Sequence, residues 1–455
     1  MFRSALAAAA LLAAVSVHAQ VVGEIEFARG VGFAQTGSAT PRILGKGLPL
    51  NQGDRLTTSD SGSAIIKMAD GTRMTLRPNS ELVVQQYQFK ENAPDNGMLM
   101  QLVRGGFRAI TGLISKGGPN AAKIQTNTAT IGIRGTDFDA RLCATDCGAE
   151  SARVTASARP NAVLASAKVV SLQGDLQAVD ASGQRRRESE GGSFYPGDTI
   201  ETGANTRVVV AFRDDSRITL GSNTRFRVDN FVYDEKNAAE GRFLVSLLKG
   251  TVRALTGLIG KANHKNVGFT TATATIGVRG TGFDATCLGV CAGEPPPPGA
   301  AAESSGLTLF TWLGSIAVTP AGQTALQVLQ QGQGLFISPT AIRPLAAPPP
   351  VEGPRPDRVT VPPKLFAEAP VSDNQQGLFV YVRDGHIQVS TTSGDVLQLG
   401  RGEAGFAGLN GQTARPLTIP KFIDFDRVPL PNVRNPSVAS LLGEQRSRTS
   451  NNQCR

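Results

Sequence analysis

Cysteine is the residue type here with the most chemistry to offer. Four of the five fall in two close pairs, Cys143 with Cys147 and Cys287 with Cys291, and Cys454 stands alone. Three chemistries use thiols at such spacing. Ligand pairs two to four residues apart suit tetrahedral zinc, so a four-cysteine site is one reading. Dithiol redox catalysis is weaker, because three residues rather than two separate each pair and no helix-start context is evident. A short-loop disulfide in each pair is the third reading, and it is the one expected in an oxidising compartment.

The choice turns on where the chain resides. Residues 1–19 contain Arg3, an Ala/Leu/Val run over 5–17, and Val17-His18-Ala19 ahead of Gln20, which are the parts of a cleaved secretory signal peptide. The apolar run is shorter than the roughly 20 residues that a membrane-spanning helix requires, and no later stretch escapes charges and glycines for that length. No cysteine follows it directly to take a lipid. We expect a soluble periplasmic protein with no transmembrane span, in which disulfides outweigh zinc.

Other catalytic groups do not assemble. His18 leaves with the signal peptide, while His264 is expected in an exposed loop and His386 at a strand edge. No Ser/His/Asp arrangement or paired-histidine spacing is present. Asp54, Asp70, Asp198 and Asp214 stand beside glycine or another turn residue, where aspartate serves Asx-turns. Gly132, Gly135 and Thr136 lack the spacing and the following lysine of a phosphate loop, and Gly257, Gly260 and Lys261 fail likewise, since Ala262 has no hydroxyl. Arg134 and Arg279 lie between glycines and are expected to bond a turn or to pair with Asp139 or Asp284. A carboxylate pair that hydrolyses glycans would need spatial support. The expectation is a protein with no catalytic residues, metal or cofactor.

The formal net charge of +9 favours acidic partners such as lipopolysaccharide, anionic glycans or lipid headgroups. Nucleic acid is excluded by export and by scarce stacking groups, one Trp and four Tyr. The triplet Arg185-Arg186-Arg187 is expected to be a solvated loop.

The elements that position these residues come in duplicate. Residues 53–89 (GDRLTTSDSGSAIIKMADGTRMTLRPNSELVVQQYQF) match residues 197–233 (GDTIETGANTRVVVAFRDDSRITLGSNTRFRVDNFVY) at a constant offset. Residues 104–116 match 249–261, and ATIGIRGTDFDA (129–140) matches ATIGVRGTGFDA (274–285). Within each copy, apolar and polar residues alternate, as in Phe226 and Val228 against Arg225, Arg227 and Asp229, which marks half-buried strands. Turn signals such as Asp70-Gly71 and Gly221-Ser222-Asn223 separate them at hairpin spacing. The fold class is therefore all-β, two tandem β-sandwich or jelly-roll-like domains with Pro-rich linkers.

Boundaries follow from composition. Domain 1 is expected over 22–147 and domain 2 over 165–291, with Pro-rich linkers at 294–305 and 344–370. Two similar β units, 306–340 and 377–430, look like closing hairpins, although the pattern does not say which copy each closes. A polar tail over 431–455 is expected to be disordered.

The pattern of GD, an alternating strand, an Asp-Gly turn, then TGLI and ATIGIRGTxFD resembles the FecR domain family. It runs from Gly53-Asp54 through Arg134, Gly135, Thr136 and Asp139, and again from Gly197-Asp198 through Arg279, Gly280, Thr281 and Asp284. In that family the resemblance implies a periplasmic sensory domain that takes a signal from an outer-membrane transporter and controls a sigma factor. We expect neither the cytoplasmic anti-sigma segment nor a transmembrane helix in this protein, so iron regulation does not follow. Two readings remain: an adaptor for a separate membrane-bound signalling protein, and a structural or glycan-binding envelope protein whose duplicated sites raise avidity. The shared residues specify fold, and the loops that differ, residues 184–193 against 36–47, are expected to carry specificity.

Overall fold

The computed structural model describes residues 21–118, 121–295 and 305–426, so the expected signal peptide, most of the first Pro-rich linker and the tail with Cys454 lie outside the described residues. The described chain is nearly all β, and no helix among these residues is long and apolar enough to cross a membrane. Each copy forms its own fifteen-stranded sheet, eleven strands from the repeat and four from a closing unit.

The closing units are allotted in nested order. Residues 306–344 complete copy 2, where Gly306–Pro320 runs antiparallel to Ala274–Leu288. The chain then returns, and Gly377–Thr391 pairs along Ala129–Cys143 of copy 1. Copy 1 is thus finished by strands that follow the whole of copy 2. Both cores include their closing strands: Leu378, Val380 and Val389 join Phe107 and Phe138 in one, and Leu307, Leu309 and Val318 join Phe243 and Phe283 in the other. Alternation gives each strand a buried face of this kind.

Long strands serve two sets of neighbours because glycines bend them. Gly97–Ile110 pairs with Glu81–Gln88 along its first half and with Arg73–Leu76 along its second. The change falls at Gly105, which has φ of +72°, and a Cβ there would stand 2.6 Å from the Asn79 carbonyl oxygen. Gly250 does the same in copy 2 with φ of +91°, against Thr224. Only glycine meets both the left-handed backbone and the close approach.

The Pro-rich stretch after copy 2 is packed. Arg217, Thr219 and Arg253 donate to the carbonyls of Val359, Pro354 and Gly353, and Arg355 stacks 4.1 Å over the Trp312 ring.

Candidate functional site

The repeated signature residues build a latch inside each copy. Gly53 and Gly197 have φ of +88° and +91°, and the aspartate after each is buried. Asp54 accepts hydrogen bonds from Asn51 N (2.8 Å), Arg42 Nη2 (2.5 Å) and the Thr36 hydroxyl. Asp198 accepts from Tyr195 N (2.9 Å) and Arg186 Nη2 (2.6 Å). The arginine triplet expected to be a solvated loop is instead the strand Arg185–Glu188. Its alternation turns Arg186 inward to Asp198 and sends Arg185 and Arg187 outward to Glu201 and Asp175.

The RGT element is a bulge. Register shifts between Arg134 and Asp137 and between Arg279 and Gly282, at Gly135 and Gly280 with φ of +53° and +57°. Thr136 N donates to Thr111 Oγ1 (2.7 Å) and Thr136 Oγ1 to the His386 carbonyl (2.9 Å). Thr281 repeats this with Thr256 (2.8 Å) and the Ser315 carbonyl (2.7 Å). The threonine of each TGLI element therefore anchors the bulge. The turn aspartates hold the same element: Asp70 accepts from Ile114 N (3.2 Å), and the Asp214 carbonyl accepts from Leu258 N (2.6 Å).

Asp139 finds other arginines than the one expected, and the Arg279 side chain expected beside Asp284 lies outside the described residues. Arg108 Nε (2.9 Å) and Arg383 Nε (2.8 Å) meet Asp139. Asp284 accepts from Arg253 Nε and Trp312 Nε1, both at 3.0 Å. Arg134 does not pair with Asp139; it lies in the field of Glu188 and Glu190 of copy 2. The spacing of Arg134 and Asp139 misled because the bulge between them rotates the two side chains apart.

Both cysteine pairs are disulfides, Cys143–Cys147 and Cys287–Cys291. The first packs with Phe379, Phe406, Phe422 and Ile423, tying copy 1 to its closing unit and to the short helix Lys421–Asp424. Among the described residues no group of three or more His, Cys, Asp or Glu could hold a metal ion.

The two copies meet across a buried polar seam. Lys168 Nζ (2.8 Å) and Arg415 Nε (2.9 Å) both bond Glu403 Oε2, and all three side chains are 0% exposed. Arg415 also donates to the carbonyls of Ala367 and Gln398, each at 2.9 Å. Burial draws Lys168 down to about 8 against the pull of Glu403. Burial would raise Glu403, yet the two cations hold it below the ordinary carboxylate range. His386 is not at a strand edge: it is buried between Arg134 and Gly400 in register, 2.9 Å from Gln398 Oε1. Burial first, then Arg134 and Lys168, depress it to about 3. The loop 184–193, expected to carry specificity, runs into this seam, where Gly191 packs on Gln398 and the neighbouring Tyr195 hydroxyl accepts from Arg401 N (2.9 Å).

An open cleft of about 890 Å³ lies on copy 1, beside the first disulfide and the helix Lys421–Asp424. Arg77 and Arg141 form its floor, both buried and oriented by Glu150 at 2.7 and 3.3 Å. Arg29, Arg153 and Lys421 stand at its rim. Nothing in the local sequence patterns pointed to it, because its walls come from five separate segments.

The family described as FecR protein matches residues 54–158 and 198–293. No curated protein matches the chain. Two crystal structures of an anti-sigma factor candidate from Parabacteroides distasonis match at 16% identity, covering 33% of this chain and 59% of that one. Their TM-score of 0.24 is too slight to bear on function. The two matched regions contain both copies of the latch, from the aspartate after each GD glycine to the disulfide, and the chain carries two tandem FecR regions.

Proposed function

We propose that this protein is a non-catalytic periplasmic binding module, a sensory or adaptor component of envelope signalling that works with a separate membrane-bound protein. The observation that carries this reading is the family match over both copies, since FecR proteins are regulatory. The disulfides support an oxidising envelope compartment. The latch gives the repeated aspartates and threonines structural partners, which supports a structural role for them. The buried ion-paired seam between the copies suits a module in which the two act together. A structural or glycan-binding role is the alternative, favoured by the basic rim of the copy 1 cleft.

The test is in-cell crosslinking of the tagged, exported protein followed by mass spectrometry. The adaptor reading expects one membrane signalling protein at stoichiometric level. Retention of envelope polymer alone would sink it and leave the glycan-binding role.

A further inference from the structure

The copy 1 cleft differs from the matching place in copy 2 residue by residue. By the repeat alignment, Arg29, Arg77 and Arg141 correspond to Gln173, Gly221 and Thr286, so copy 2 lacks all three cations. Over its equivalent turn, copy 2 holds an anion of its own. The Glu352 carboxylate accepts from Ser222 N (3.1 Å) and Oγ (2.9 Å). Copy 1 has arginines at this place and leaves a cleft beside them.

The charges of the cleft are incompletely balanced. Arg77 and Arg141 have carboxylate partners, although Arg141 Nε is buried without a hydrogen-bond acceptor. At the rim, Arg29 and Arg153 are exposed and make no side-chain hydrogen bond or ion pair among the described residues. Lys421 Nζ reaches only the Val154 carbonyl, at 3.2 Å. Four acids share the lining: Glu150 and Asp426 pair with Arg77, Glu150 and Asp146 pair with Arg141, and Asp60 stands at the rim facing the exposed arginines. Arginines in this state recognise carboxylate or phosphate.

Neutral groups decide between a glycan and a peptide. Ser61, Ser63, Asn79 and Thr155 supply hydroxyls and an amide, and the Phe425 ring is 39% exposed. The walls are turns, two short helices and coil, and the strand residues Arg29, Ser63 and Arg141 are already paired in register, so no free strand edge offers a peptide a main-chain ladder. Dispersed hydroxyl partners beside an amphipathic ring suit a sugar.

We propose that the copy 1 cleft binds an anionic saccharide, its carboxylate or phosphate held by Arg29, Arg153 and Lys421 and a ring face laid on Phe425. This rests on the reading of the chain as a binding module and names its ligand class.

The test is calorimetric titration of the oxidised full chain, at low salt, with trigalacturonate, mannose 6-phosphate, maltotriose and tetraglutamate. The expected result is saturable binding of at least one of the two anionic sugars, which identifies the anion as carboxylate or phosphate. Maltotriose should not bind, and tetraglutamate should bind about tenfold more weakly or less. The double variant Arg29→Glu/Arg153→Glu, at exposed positions, should lose about tenfold or more with unchanged melting temperature, and Phe425→Ala should weaken binding. Failure of both anionic sugars to saturate, or full binding by the double variant, overturns the proposal. Tetraglutamate binding as well as the sugars overturns it too, in favour of an acidic polypeptide. Crosslinking to a protein partner that proceeds while both sugars fail leaves the binding-module reading intact, so the two failures are distinguishable.

Discussion

Replacing Glu403 by Gln tests whether the seam couples the copies. In the native seam one carboxylate oxygen serves both Lys168 and Arg415 with no exposure of any partner. The amide takes away the negative charge, and Arg415 keeps its backbone carbonyls at 2.9 Å, whereas Lys168 keeps only the Gln398 carbonyl at 3.2 Å. Removing one partner of a buried pair costs about 3–5 kcal/mol, because an uncompensated charge stays behind. A ceiling follows from the lysine itself, which at pH 7 can lose its proton for about 4.6 kcal/mol relative to an ordinary pKa near 10.4. The expected loss is therefore about 3–4.5 kcal/mol.

Its sign with pH is also fixed. In Glu403→Gln the folded state holds Lys168 neutral while the unfolded chain is protonated up to about pH 10.4, so stability should climb from pH 7 toward pH 10 by up to about 1.4 kcal/mol per unit. Guanidinium unfolding followed by circular dichroism and by the fluorescence of Trp312 reads both quantities. Trp312 belongs to the sheet of copy 2, so separation of the two signals would report the copies unfolding apart. Adding Lys168→Met should restore most of the loss. A cost below about 1 kcal/mol for Glu403→Gln, or no recovery in the double variant, refutes the coupling.

Three further outcomes are expected. His386 is neutral in the fold and depressed to about 3, so between pH 6.5 and 3 it removes stability as pH falls; His386→Gln should flatten that acid limb by up to about 1.4 kcal/mol per pH unit in pH-dependent denaturation. Gly105→Ala should lower the melting temperature more than Gly135→Ala, since both have positive φ but only the first Cβ meets backbone, and Gly135 faces open space to 3.8 Å. Truncation after residue 363 should leave copy 2 resistant to limited proteolysis and copy 1 degraded, because it strips Gly377–Thr391 from Ala129–Cys143.

Much of the fold was legible in the sequence because it rests on local rules. Alternation gave strands, and the positive φ of Gly53, Gly135 and their repeats explains why those glycines recur. The cysteine pairs were legible from spacing and compartment. What was illegible depends on distant segments. Gly306–Pro320 and Gly377–Thr391 carry near-identical patterns, so nothing local says that the later one closes the earlier copy. Lys168 reads as an ordinary strand lysine, and its burial is decided by Glu403, 235 residues away. His386 was misplaced for the same reason, whereas Arg186 finds Asp198 only 12 residues away and was misplaced because three successive arginines hide the alternation of a strand. The cleft joins the Arg29 turn to the Lys421–Asp424 helix, and no periodicity spans such a distance.

The most direct measurement of the central claim, binding without catalysis, incubates the oxidised full chain with purified sacculi and lipopolysaccharide while following retained protein and released product together. The account predicts saturable retention with no reducing ends or phosphate released beyond the protein-free control. Product that accumulates with time in excess of the protein present would contradict it.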